Sequence, residues 1–305
     1  MPESPGDPEN NIAFDAPVPD ALSRRPRKKE RLDVSRQLRM DRELVVAHIF
    51  VADDGGPVRT IINGRHRKPT GRHYMVKGGF RSSPWESMEG EYPFMQLCEV
   101  ATAVHRFLAQ PHRLEMQVVG SAKRWVYFPD ARIEVDRAFG EVLLNGVPFD
   151  QAVAEWRPHM ADGVNMAMLV EVKTDRDRRA DESDYKAKLT LTREVYHRLG
   201  WGFVTVRQSD IAMHDIAYSV REIGLDHDTS VDAEDVRVAA EYVAAPYADL
   251  AGLVRALGGR PVGMAKAAAL HVRRVVHIGL DNDLRPDTRV RLVGDGKDLY
   301  GVMRR

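Results

Sequence analysis

Asp130 follows Pro129 at the head of the stretch ARIEV, and Glu171 and Lys173 flank Val172 in AMLVEVKTD. Alternation along a strand puts Glu171 and Lys173 on one face while Val172 points to the other. If the two stretches are neighbouring strands, their acids meet at strand ends. Facing carboxylates repel unless a cation neutralises them, and hard oxygen donors suit Mg²⁺ or Mn²⁺. A lysine beside a metal-bound water helps deprotonate it or stabilises the charge that develops. Hydrolytic attack on a phosphodiester needs these parts. The plainer reading, two strands with charged ends, fits the same letters.

The surrounding pattern supplies elements to hold such a site. ELVVAHIFVA (Glu43 to Ala52) and VRTIING (Val58 to Gly64) read as strands joined by the turn signal DDGG. Phe94, Leu97, Cys98, Ala101, Val104 and Leu108 recur at helical spacing, so a helix is expected over Ser87–Leu108, closed by Gln110-Pro111. LEMQVV, RWVYF and ARIEV read as strands, GVPFDQAVAEW as an amphipathic helix and AMLVEV as a further strand. DYKAKLTLTREVYHRLG reads as a helix with Leu189, Val195 and Leu199 inward, stopped by Gly200 before the strand WGFVTV. Beyond a boundary near residues 225–235, three Ala- and Leu-rich helices precede TRVRLV and LYGVMR, expected to pair. That is the outline of a winged helix.

Lysines plus arginines and aspartates plus glutamates number 45 each, so overall charge favours no polyanionic partner. The distribution is uneven. RRPRKKER (Arg24 to Arg31) holds six basic residues in eight positions within a proline-rich segment, residues 1–40, that reads as a disordered or extended tail. A second basic group, GRHRKPTGRH, carries Arg65, Arg67, Lys68 and Arg72, with Lys77 just beyond. Such clusters attract phosphate backbones, although a solvated surface explains them equally. The absence of a secretory leader or a long apolar run leads us to expect a cytoplasmic protein without a membrane partner. The single cysteine, Cys98, excludes an internal disulfide and reads as core. No paired-histidine zinc motif, P-loop or G-x-S-x-G occurs. His105 and His197 read as partly buried helix residues, and Trp125, Trp201 and Tyr127 as core.

Pro129-Asp130 followed by Glu171-Val172-Lys173 resembles the PD-(D/E)xK nuclease signature. Thr70-Gly71, Glu86-Ser87, Glu91, Phe94, Leu97, Glu99, Val104 and Gln110-Pro111, with Gly200-Trp201, Phe203 and Asp210-Ile211 downstream, are similar to the TnsA-type transposon endonuclease family. The likeness covers about residues 65–212, and residues 235–293 only loosely. It implies an α/β protein: a restriction-endonuclease-like mixed sheet flanked by helices, plus a small C-terminal winged-helix domain. The corresponding division is a tail over 1–40, a nuclease domain over 41–228 and a winged-helix-like domain over 229–305. It also implies a Mg²⁺-dependent endonuclease, with Mn²⁺ able to substitute, that cuts one strand of double-stranded DNA at transposon ends. Asp130 and Glu171 would be metal ligands, Lys173 the catalytic lysine, Glu91 the helix acid and third ligand, and the Val172 carbonyl a further donor. The implied partners are an integrase-like transposase and an AAA+ ATPase regulator.

Two departures stand out. The family's second helix acid falls at Gly90, which leaves Glu86 and Glu89 as alternatives to Glu91, and residues 138–166 look like an insertion. Arg176, Arg178 and Arg179 sit in a charged loop that could touch phosphates. A phage- or restriction-associated nuclease and a non-catalytic DNA-binding adaptor are the alternative readings.

Overall fold

The computed structural model describes residues 29–40, 43–59, 69–175, 182–280 and 283–293. Arg65, Arg67, Lys68, the arginines at 176, 178 and 179, and the LYGVMR stretch lie outside them. VRTIING lies outside too from residue 60 onward, and its first two residues, Val58 and Arg59, form a bend instead of a strand.

The chain opens with β1 (Lys29–Met40) and β2 (Glu43–Ala52), paired antiparallel. Residues 29–40 are therefore not part of an unstructured tail, which corrects the boundary expected at residue 40. A short hairpin follows, β3 (Gly71–Met75) and β4 (Arg81–Trp85). Helix α1 spans Glu91–Val100 and gives way to strand β5, Val104–Ala109. The expected helix over Ser87–Leu108 is thus cut at both ends. Val104, Phe107 and Ala109 keep apolar spacing but are buried as strand residues, with Val104 opposite Val135.

Next come β6 (Arg113–Val118), β7 (Arg124–Tyr127) and β8 (Ala131–Asp136). The segment that reads as an insertion folds as α2 (Arg137–Leu144) and α3 (Phe149–Glu155). Strand β9 (Asn165–Lys173), α4 (Ser183–Arg198) and β10 (Gly202–Arg207) complete a β-α-β unit. Gly200 ends α4 in the left-handed region at φ 75°, and Trp201 N–H closes back on the Tyr196 carbonyl at 2.9 Å.

Two four-stranded sheets result. One runs β1-β2-β6-β7; the other runs β10-β9-β8-β5 and is mixed, with only the β9–β10 pair parallel. That parallel pair requires a crossover, which α4 provides. Met168, Leu169 and Val170 are all fully buried, as a central strand covered on both faces demands. Alternation divides them: Met168 and Val170 enter the larger core, Leu169 a second core made by α4, Tyr127 and the inner face of the first sheet. Glu171 and Lys173 share the parity of Leu169, so they face α4 and β7.

The C-terminal part holds α5 (Ala217–Leu225), α6 (Ala233–Val243), α7 (Leu250–Ala256), α8 (Val262–Val272) and the strand pair β11 (Val276–Ile278) and β12 (Val290–Leu292). Val290–Leu292 pairs with Val276–Ile278, a strand hidden in what reads as the end of the last helix, while LYGVMR, the expected partner of TRVRLV, lies outside the described residues. A Cβ at Gly263 would lie 2.1 Å from the Val254 carbonyl oxygen, so only glycine lets α8 close on the end of α7.

No break in the core marks residues 225–235: one apolar cluster runs from Met75 to Val290. Polar contacts reinforce the join. His271 Nδ1 accepts from Ile278 N–H at 2.9 Å, which leaves Nε2 to donate to the Val100 carbonyl at 2.8 Å. Arg274 Nε donates to the Thr102 carbonyl at 2.6 Å, and its guanidinium also pairs with Asp136 at 3.3 Å. His277 Nδ1 and Thr102 Oγ1 are 2.7 Å apart. Among the described residues no helix is long and apolar enough to cross a membrane.

Candidate active site

The antiparallel register of β8 and β9 places Ala131 opposite Val170, so Asp130 arrives beside Glu171. Two backbone bonds fix it there: Asp130 N–H donates to the Val170 carbonyl at 3.1 Å, and Gln110 N–H donates to the Asp130 carbonyl at 2.8 Å. The carboxylate is held as well, because Val172 N–H donates to Asp130 Oδ2 at 2.7 Å. Glu171 is buried, and each of its oxygens is engaged. Tyr127 donates to Oε2 at 2.5 Å, and Tyr185, from the first turn of α4, donates to Oε1 at 2.6 Å. Lys173 Nζ lies 2.5 Å from Glu171 Oε1 and 4.7 Å from the centre of the Tyr185 ring. Asp130, Glu171 and Lys173, expected to meet, do meet.

Glu91 stands at the first position of α1, where a negative charge favours the helix dipole. Its Oε2 accepts from Glu86 N–H at 2.8 Å. The helix reaches the strand through Gly90: a Cβ there would stand 3.1 Å from Val172 Cγ1. A side chain at position 90 would crowd this approach. Of the alternatives, Glu89 is exposed and Glu86 is paired with Arg59 at 3.0 Å.

Negative charge is concentrated here. Burial first, then the Glu171 and Glu91 carboxylates, push the Asp130 carboxyl well above its ordinary range, against the Val172 bond and Lys173. Burial likewise raises Glu91 to about 7, with Glu86 and Glu171 adding to the shift and the Glu86 N–H bond and Arg59 opposing it. Burial pulls the Lys173 ammonium down, yet the Glu171 carboxylate outweighs it and the net shift is upward, so Lys173 keeps its proton at neutral pH. Lys173 balances only part of the charge of three neighbouring carboxyls, and an oxygen-only donor pair such as Asp130 and Glu171 suits a hard divalent cation. Among the described residues no three His, Cys, Asp or Glu side chains are grouped as a ready ligand set, while the Glu91 charge is felt at Asp130.

The expected phosphate contacts divide. Arg72 is exposed on β3, with Nη1 3.4 Å from the Ser82 carbonyl. Lys77 is a correction. It is buried, donating to the carbonyls of Cys98 at 3.2 Å and Ala101 at 2.6 Å, so it caps the C-terminal end of α1 and cannot meet a phosphate. Glu99 completes that corner by accepting from Val76 N–H at 2.6 Å. His105 is in a strand, not a helix, and bonds Asp136 at 2.9 Å; His197 is exposed. Sequence reasoning missed Tyr185 and Arg59 and took Tyr127 for plain core; tyrosines near an E-x-K strand were the available signal.

No family model matches the chain, and no curated protein is significantly similar to it.

Proposed function

We propose that this protein is a metal-dependent DNA endonuclease, the TnsA-like subunit of a heteromeric transposase that hydrolyses one strand at transposon ends. The observation that carries the reading is the Val172 N–H bond to Asp130, which seats that acid against the strand bearing Glu171 and Lys173. The element order supports it. Taken in sequence, α1, β5, β8, β9, α4 and β10 form a helix, three antiparallel strands, a crossover helix and a parallel strand, an α/β order compatible with the proposed restriction-endonuclease-like core. On this reading helices α6–α8 with β11 and β12 would be a winged-helix unit that engages the AAA+ regulator, the integrase-like transposase being the second partner. A cytoplasmic location follows from the same reading.

In this mechanism Asp130 and Glu171 supply the oxygen donors, with the Val172 carbonyl as a further one. When bound, Mg²⁺ or Mn²⁺ supplies Lewis acidity at the scissile phosphate and lowers the pKa of a water. Lys173, carrying its proton, offers a cation and N–H donors to the charge that builds on the phosphate oxygens. Glu91, raised to about 7, can hold or release a proton at the edge of the site near neutral pH.

The test incubates the purified chain and its partner transposase with transposon-end DNA and Mg²⁺. Single-strand cleavage by the parent and none by Asp130→Asn or Lys173→Met is expected. Equal cleavage by all three would overturn the nuclease assignment, and binding without cleavage by the parent would favour an adaptor.

A further inference from the structure

Three hydroxyl and ammonium groups from three elements converge on the Glu171 carboxylate. Tyr127 comes from β7, Tyr185 from α4 and Lys173 from β9 itself. A buried tyrosine needs some partner for its O–H, so one such bond would mean little. Two tyrosines on separate oxygens of one carboxylate are a different matter. Tyr196, also in α4 and fully buried, feels the Glu171 charge too, yet its hydroxyl bonds His112, at 2.6 Å, instead of that carboxylate. The Tyr185 oxygen is, besides, a hydrogen-bond partner of Lys173, and the lysine ammonium lies over the same ring. A second lysine, Lys188, stands 4.9 Å from that ring centre.

We propose that Tyr185 is a positioning residue of the centre. Its hydroxyl donates to Glu171 and accepts from Lys173, keeping carboxylate and ammonium in register, while Tyr127 fixes the other Glu171 oxygen. With Glu171 shared with a bound cation, the direct Glu171–Lys173 pair would be weaker. The tyrosine oxygen then remains as the acceptor that stops the flexible lysine stem from swinging away. Outer groups that hold metal-binding carboxylates are worth about 10- to 100-fold in metal affinity or activity. The inference rests on the endonuclease reading, so its test separates the two.

Tyr185→Phe and Tyr127→Phe remove one oxygen each and keep the rings. Three quantities are measured on the full chain: Mn²⁺ affinity by calorimetry without DNA, kcat and KM for cleavage with the partner transposase present, and the unfolding temperature. Tyr127→Phe is expected to weaken Mn²⁺ binding about 10- to 100-fold. Tyr185→Phe is expected to lower kcat by a similar factor with KM for DNA unchanged. Parent-like Mn²⁺ affinity and kcat in both variants, with only a lower unfolding temperature, would make these ordinary core tyrosines and overturn the inference alone. A parent that neither binds Mn²⁺ nor cuts DNA would overturn the endonuclease reading and this inference together.

Discussion

Val172 N–H and Asp130 Oδ2, 2.7 Å apart, tie the residue that precedes β8 to β9, where the charges of Glu171 and Glu91 bear on Asp130. The bond survives if the acid becomes an amide, since the remaining carbonyl oxygen of Asn still accepts. Asp130→Asn should therefore abolish cleavage while leaving the fold intact. Replacing a carboxyl whose ionisation burial and two carboxylates disfavour should leave metal-free stability equal to or above that of the parent. Calorimetric scans without divalent ions would show it; a fall in Tm would mean the carboxylate is structurally required.

His112 sets an acid limit on stability. It is buried against Tyr196 and Trp201, and burial, with the Arg132 charge adding to it, lowers its pKa to about 3 from the ordinary 6.5. The unfolded chain thus binds this proton first as pH falls. The stability conferred by the neutral ring is complete above 6.5 and drains away between 6.5 and 3, at about 1.4 kcal/mol per unit. Denaturant titrations at a series of pH values should show a flatter acid limb in His112→Phe than in the parent. Parallel limbs would rule out His112 as the source.

Lys77→Ala should destabilise by about 2–3 kcal/mol, because two helix-end carbonyls lose their donor and Glu99 loses its counter-charge. The same variant should bind DNA with unchanged affinity and unchanged salt dependence, since burial keeps Lys77 from any phosphate. A shallower salt slope in Lys77→Ala would restore the surface reading of this residue.

Gln110 adopts φ 44°, a left-handed conformation that costs an L-residue about 1–2 kcal/mol, and its side-chain Oε1 is buried without a partner. Only its backbone is used, donating to Asp130 and accepting from Val58 at 2.9 Å. Gln110→Gly should stabilise the chain by about 1 kcal/mol in urea unfolding and leave cleavage intact. Lost cleavage at preserved stability would assign the side chain a part in the site.

The Glu171-Val172-Lys173 face was legible because alternation in a strand is a local property, and the apolar run before it marks β9 as central. Asp130 was legible as an acid at a strand head. What sequence spacing could not supply was the identity of the neighbours. Tyr127 and Tyr185 come from elements separated by the α2–α3 segment, and only the fold places them on one carboxylate. Lys77 looked like one more basic surface residue, yet Glu99 and the open carbonyls of α1 draw it inward. The helix extent was overestimated because Val104 and Leu108 continue a helical spacing by coincidence while Val104 begins a strand. The strand β11 was masked by MAKAAALHVRRVVHIGL, whose helix ends at Val272, with Arg274 in the left-handed region at φ 61°.

The bonds from His271 and Arg274 have a mechanical meaning. His271 holds the C-terminal end of α1 and Arg274 holds Asp136, the last residue of β8; Glu91 begins α1, and Asp130 directly precedes β8. Each acid therefore sits at the front of a rigid beam whose rear is bolted to the C-terminal helices. For β8 that beam is about 20 Å long, at about 3.3 Å per residue. A load applied to α8 reaches the tips where Asp130 and Glu91 stand through one helix and one strand instead of through a loop.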